Sequence, residues 1–187
     1  TMISEIALTG KSVGASGCHD QCLSVCASTR FMKGSKVTIP DNALLDLGTS
    51  ADASWTVELW YREAKSKLTA QPLLMKEQSS SSNTDYSLYL EDGKLWWTTG
   101  ASSDSCASIG VKKPSPGIWH HIAGVLDAKT KSKQVYVDGK LIASCTYKVK
   151  ASANTAPIKI GHGRPNVASD HLVDASIAGV RISSKKR

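Results

Sequence analysis

No run of apolar residues in this 187-residue chain approaches the roughly 18 residues of a membrane-spanning helix, so no helical membrane insertion is expected. No signal peptide opens it either. It starts at Thr1 rather than Met, which leads us to expect a processed protein or an excised fragment. No closely spaced acidic triplet occurs. Glu58 and Glu63 are five residues apart, which strand alternation sends to opposite faces, so the paired carboxylates of glycoside hydrolysis are missing. No Gly-x-Ser-x-Gly elbow marks a nucleophile. These two absences argue against an enzyme. No nucleic-acid motif accompanies the net charge of +7, and the lysines fall mostly in turns. We read them first as solubilising groups that guard exposed strand edges. Attraction to an acidic glycan is the sharper alternative, and nucleic acid is not expected as a partner.

What is present is strand and turn. The length suits one domain, taken as residues 1–187, with enough chain to bury a core. Two dipeptides, Asp92-Gly93 and Asp138-Gly139, supply the positive φ that a tight type I′ hairpin turn requires. Tyr86–Thr99 (YSLYLEDGKLWWTT) is the clearest hairpin. A two-residue turn pairs Glu91 with Lys94, Leu90 with Leu95, Tyr89 with Trp96 and Leu88 with Trp97. Leu88, Leu90, Leu95 and Trp97 then share a core face, and Ser87, Tyr89, Trp96 and Thr98, with Glu91 and Lys94, share the other. Gly117–Cys145 reads as a three-strand meander, with runs Trp119–Leu126 and Gln134–Ser144 about a polar turn. Ser54–Arg62 alternates, with Trp55, Val57 and Leu59 pointing one way. Further strands are expected at Ile3–Leu8, twice within Arg30–Ile39, and at Gln71–Glu77, Tyr147–Ser152, Ile158–Ile160 and Ser176–Ile182. Ala43–Leu47 suits one helical turn. About a dozen short strands with little helix indicate an all-β, two-sheet antiparallel β-sandwich of the jelly-roll kind.

Five cysteines are many for a cytosolic protein of this size and favour an oxidising, extracellular compartment. Cys106 and Cys145 are expected to form a disulfide, tying the segment after the Trp96 hairpin to the end of the Asp138-Gly139 hairpin. Cys18, Cys22 and Cys26 cluster in CHDQCLSVC beside His19. Four-residue spacing on a helix would give one Zn²⁺-binding face, but the spacing is no familiar zinc signature and disulfides are the first reading. The pairing of these three stays open. An odd count leaves one thiol free or linked to another chain or segment, which brings in an oligomer.

Trp119-His120-His121-Ile122-Ala123-Gly124, then Asp127, then Val135-Tyr136-Val137-Asp138-Gly139-Lys140 resembles the concanavalin A-like, laminin-G-like jelly-roll family. Pro40-Asp41-Asn42 with Leu45 and Leu47, Trp55–Trp60, Tyr86–Leu95, Pro157–Gly161 and Ile177–Ile182 agree with it in order. The resemblance covers about residues 30–182. It implies a jelly roll whose first and last strands lie side by side, and a function among lectins, adhesion modules, carbohydrate-binding modules and glycosidases. Family members often carry a structural Ca²⁺ held by acid in those two strands. Here the positions read Phe31-Met32-Lys33-Gly34 and Ile177-Ala178-Gly179-Val180, which argues against that ion. Asp41, Asn42, Asp170 and Asp174 remain as loop oxygens with no motif uniting them.

His120 and His121, adjacent on a strand, point to opposite faces and cannot chelate one ion, so they read as packing and hydrogen-bonding groups. Sugar binding needs an aromatic face with polar groups nearby. Tyr89 and Trp96 are the candidates, with Trp60 weaker and Trp55, Trp97 and Trp119 assigned to the core. Polar contacts are expected from two loops, at Asn83, Asp85, His162, Arg164, Asn166 and Asp170. The expected function is a non-catalytic, lectin-like module binding a glycan or glycoprotein. The alternative is an adhesion or structural module within a larger extracellular protein.

Overall fold

The computed structural model describes residues 2–5, 28–32, 35–47, 54–64, 68, 70–78, 84–100, 104–148, 153–163, 173–184 and 186. Among these, thirteen strands form two antiparallel sheets. The seven-stranded sheet contains β1 (Met2–Glu5), β2 (Ser28–Phe31), β4 (Trp55–Glu63), β9 (His120–Asp127), β10 (Ser132–Val137), β11 (Lys140–Thr146) and β13 (Ala175–Ser183). Its order is β1-β13-β4-β9-β10-β11, with β2 also paired to β13. The six-stranded sheet runs β3 (Val37–Ile39), β12 (Ile158–Ile160), β5 (Ala70–Glu77), β6 (Thr84–Glu91), β7 (Lys94–Gly100) and β8 (Ser108–Lys112). One 3₁₀ turn, Ala43–Leu45, is capped by Asn42, whose Oδ1 accepts from Leu44 N at 2.9 Å.

The hairpin registers follow from turn chemistry. Asp92 and Gly93 take φ of 49° and 72°, and Asp138 and Gly139 take 51° and 75°. Those angles match the strand twist and fix Glu91 opposite Lys94, Tyr89 opposite Trp96 and Leu88 opposite Trp97. The expected alternation therefore holds, with Leu88, Leu90, Leu95 and Trp97 in the core. Strand β13 pairs with β2, so the first matched strand and the last do lie side by side.

The sandwich closes on apolar rows from both sheets. Val57, Leu59, Tyr61, Ile122 and Val135 face Leu74, Tyr86, Leu88, Leu95 and Trp97 in one buried cluster. The Gly124 of the motif has a packing reason. The indole of Trp97, from the opposite sheet, lies directly on it, and a Cβ there would fall inside the ring's van der Waals envelope. Gly124→Ala should force the sheets apart locally and lower unfolding free energy by about 1–3 kcal/mol in urea titrations. An unchanged midpoint would rule out this packing account.

Cys106 and Cys145 are joined, with Cα atoms 5.9 Å apart, within the range disulfides span. Cys18, Cys22 and Cys26 lie outside the described residues.

Several expectations need correction. Strand β11 ends at Thr146, where Tyr147 turns inward and its N–H bonds Lys131 O at 3.0 Å, so the strand expected over Tyr147–Ser152 does not begin at Tyr147, and residues 149–152 lie outside the described residues. Trp119 is half-buried rather than core, with the Arg62 guanidinium 5.2 Å from its ring centroid. Edge strand β8 was not anticipated: SIGVK is short, and Gly110 interrupts its pattern.

Candidate functional site

The outward face of the six-stranded sheet carries the aromatic pair. Tyr89 and Trp96 are directly opposed across β6 and β7. Their rings are near-parallel, 14° apart, with centroids at 6.4 Å, and both are half-buried. The backbone of β8 makes room for the indole. Trp96 opposes Gly110, where a Cβ would come within 2.7 Å of the six-membered ring. A larger residue there would lift the indole off the sheet. The Trp96 Nε1–H donates to Glu91 O at 3.3 Å, which sets the ring's orientation.

Polar groups frame the pair. The Lys94 Nζ stands 5.3 Å from the Trp96 centroid, a cation–π distance. Lys94 also opposes Lys112 across β7 and β8. Two like charges placed directly opposite cost stability, and Glu91, opposite Lys94 on its β6 side, offsets part of that repulsion. Thr98 and Ser108, neighbours on the same face, bond through their hydroxyls at 2.8 Å. Lys94 and Thr98 were recognised in sequence only as edge residues of the Tyr89 face. Gly110, Ser108 and Lys112 were missed, because nothing in SIGVK marks it as Trp96's neighbour until the sheet order is known.

The loop candidates divide differently. Asp85 is not a loop residue. It is the second residue of β6, wholly buried, and accepts from Leu47 N at 3.3 Å. Burial pushes its carboxyl up to about 8, and the adjacent Asp46 carboxyl adds to the rise against the Lys76 charge. It cannot meet a surface ligand. His162 is half-buried, its Nδ1 3.0 Å from Gly163 O. Asn83, Arg164, Asn166 and Asp170 lie outside the described residues.

The other sheet shows what the remaining candidates do. The His121 ring lies tilted against Trp60, centroids 5.1 Å apart, and pairs with Glu58 at 3.2 Å. Arg181 reaches the same carboxylate at 3.5 Å. On the opposite face His120 Nδ1 meets Asp138 Oδ2 at 2.7 Å, and its Nε2 lies 3.1 Å from Ser115 O. Asp138 Oδ1 accepts from His121 N at 2.9 Å, so the turn Asp is clamped by both histidines. Burial opposes ionisation of Asp138, but the bonds from His120 and from the His121 backbone, with the charges of the two rings, together outweigh it and hold the carboxyl below its usual range. Glu63, fully buried, accepts from Gln71 Nε2 at 2.6 Å and from Lys113 Nζ at 2.8 Å. Both glutamates of β4 are thus tied into structural networks on opposite faces.

Among the described residues no group of three or more His, Cys, Asp or Glu side chains is arranged for a metal ion. Asp41 pairs with Lys76, Asn42 caps the 3₁₀ turn, and Asp174 pairs with Arg30.

The chain belongs to the concanavalin A-like lectin/glucanases superfamily, whose family model (a laminin G type) matches residues 31–187. No curated protein sequence matches it. Among solved structures, domains LG4-5 of the mouse laminin alpha1 chain align at 16% identity with a TM-score of 0.57, over 84% of this chain and 42% of that one. The binding domain of botulinum neurotoxin DC, solved in complex with SialylT, aligns at 16% identity and TM-score 0.58, over 86% and 40%. The binding domain of Paraclostridial Mosquitocidal Protein 1 aligns at 15% and 0.60, over 86% and 40%. This chain therefore spans about two-fifths of the length of each of these. At such identities the likeness is one of fold.

Proposed function

We propose that this chain is a non-catalytic, carbohydrate-binding module of an extracellular protein, and that it meets its glycan on the outward face of the six-stranded sheet around Tyr89 and Trp96. The observation that carries the reading is the Tyr89–Trp96 pair seated on Gly110 and bordered by Lys94, Lys112, Thr98 and Ser108. An aromatic face with adjacent donors suits a pyranose, whose axial C–H groups stack while its hydroxyls bond. The solved binding domains of the same fold support a binding role, one of them solved in complex with SialylT. The structural engagement of Glu58 and Glu63 supports a module without hydrolytic chemistry. The Cys106–Cys145 disulfide supports an oxidising compartment.

A glycan array at physiological salt, followed by titration of the strongest ligand, tests this. Trp96→Ala should weaken binding at least about tenfold, roughly 1.4 kcal/mol, while Trp60→Ala on the other sheet leaves it unchanged. Binding that survives Trp96→Ala would move the site elsewhere. Binding that collapses with added salt would assign the dominant contact to the lysines and the ligand to the acidic glycans.

A second reading, adhesion through protein contacts, rests on edge strand β11, where Leu141 and Ile142 are 52% and 49% exposed. Apolar side chains on an open sheet edge are a pairing surface. A chain that stays monomeric at high concentration and shows glycan binding unaffected by Leu141→Lys would exclude it.

A further inference from the structure

Two lysines, Lys76 and Lys133, are completely buried, and their surroundings differ in kind. The Lys133 ammonium meets only peptide carbonyls, Thr99 O at 2.7 Å and Ala107 O at 3.1 Å. Lys76, the penultimate residue of β5, reaches a cage of oxygens instead. Its Nζ lies 2.8 Å from Asp41 Oδ1, 2.9 Å from Asp46 Oδ1, 2.6 Å from Asn154 O, 3.1 Å from Ala156 O and 3.5 Å from Asn154 Oδ1. Those oxygens come from two segments, 41–46 and 154–156, that follow β3 and precede β12, the paired strands at this edge of the sheet.

An ammonium has three protons to donate, and here five oxygens surround it. Two carboxylates, one amide oxygen and two peptide carbonyls are hard donors, the type of set that Ca²⁺ takes. A third carboxyl group, Asp85, lies close enough to interact with both Asp46 and Lys76, and burial keeps it protonated below about pH 8. The two carboxylates alone make the cage richer in oxygen and in negative charge than one ammonium requires. The two lysines respond in opposite senses. Burial lowers Lys133 to about 8, with only partial relief from Asp104. Burial also opposes the charge on Lys76, but the Asp41 and Asp46 bonds outweigh it and raise its pKa.

We propose that Lys76 is a tethered cation occupying a hard-cation site: its ammonium pins the 41–46 turn and the 154–156 segment to β5 in place of a divalent ion, and the emptied cage binds Ca²⁺. The site is distinct from the aromatic face and independent of any ligand bound there. It makes the docking of these two segments indifferent to chelators, since the ion is covalently part of the chain.

The test compares the whole chain with Lys76→Ala, which empties the cage, and Lys76→Met, which refills its volume without charge. Wild type should keep the same Tm in chelator and in millimolar Ca²⁺. Lys76→Ala should melt lower in chelator, recover with Ca²⁺, and show one calorimetric Ca²⁺ site. Lys76→Met should be destabilised and blind to Ca²⁺. Adding Asp41→Asn to Lys76→Ala should weaken Ca²⁺ about tenfold, because carboxylate count sets affinity in such sites. Should Lys76→Ala fail to fold in chelator, refolding in Ca²⁺ decides: recovery supports the cage, and failure in both overturns it. A folded Lys76→Ala that neither binds nor responds to Ca²⁺, or a wild type that binds it equally well, would also overturn the proposal.

Discussion

Stability is expected to fall as pH rises from about 4 to about 8, and Asp85 is the cause. Its carboxyl titrates near 3.8 in an unfolded chain and near 8 in the folded one, chiefly because burial disfavours the anion. Between those values the folded state holds a proton that the unfolded state has released. Protonation therefore favours folding, fully below pH 4 and not at all above 8. At roughly 1.4 kcal/mol per pH unit the loss accumulates to on the order of 5 kcal/mol. Lys133 acts in the opposite sense at higher pH. Its folded value, about 8, lies below the unfolded 10.5, so the unfolded state holds the extra proton and stability rises across that interval by roughly 3 kcal/mol. On the acid side, Asp127, held low by its bond from Lys186, and Asp138, held low by His120, lose their contributions as they protonate. The profile should thus pass through a minimum near pH 8. Urea unfolding across this range checks it. Asp85→Asn should flatten the falling arm and Lys133→Met the rising one. A wild-type profile level from pH 4 to 8 would show that Asp85 is ionised in the folded protein.

Replacing both Cys106 and Cys145 by alanine should cost about 4 kcal/mol. The bridge closes 39 residues, and the loop-closure entropy restored to the unfolded chain is of that size. It also staples the two sheets, since Cys106 precedes β8 while Cys145 lies in β11. For a domain this long, Tm should drop by roughly 8–15 °C. Cys106 is 1% exposed while Cys145 is half-buried, so a reductant should attack at the Cys145 sulfur while the fold is closed. A double variant within about 1 kcal/mol of wild type would mean that the unfolded chain already holds these segments together.

Turns were the most legible part of the sequence. Asp-Gly located both hairpin turns, because the required backbone angles admit few alternatives, and fixed the Tyr86–Thr99 pairing around Asp92-Gly93 from Leu88 to Trp97, whereas the Asp138-Gly139 hairpin shifts register between Val135 and Tyr136. Alternation then sorted Leu88 and Trp97 from Tyr89 and Trp96. Sheet order was not legible: β3 and β2, close in sequence, go to different sheets, and β8 joins Trp96 through a register that no local pattern encodes. Burial of charge was equally hidden. Lys76 and Lys133 look like surface lysines until partners from distant segments enclose them, and Asp85 looks like loop because the polar run before it continues into β6. Trp119 misled in the other direction, since its ring is covered by Arg62 rather than by core.

The position of β13 has a consequence for the order in which the molecule assembles. The meander β5–β8 pairs each strand with the next in sequence, so it can form while the rest is still unpaired. Strand β13, by contrast, is inserted between β4 and the pair β1 and β2, more than a hundred residues upstream. Until Ala175–Ser183 exists, β4 has a bare edge and the earliest strands have nothing to pair with. Closing that gap carries the long-loop entropy that slows folding. During synthesis the half that bears Tyr89 and Trp96 is therefore available long before the half that completes the sandwich beneath it.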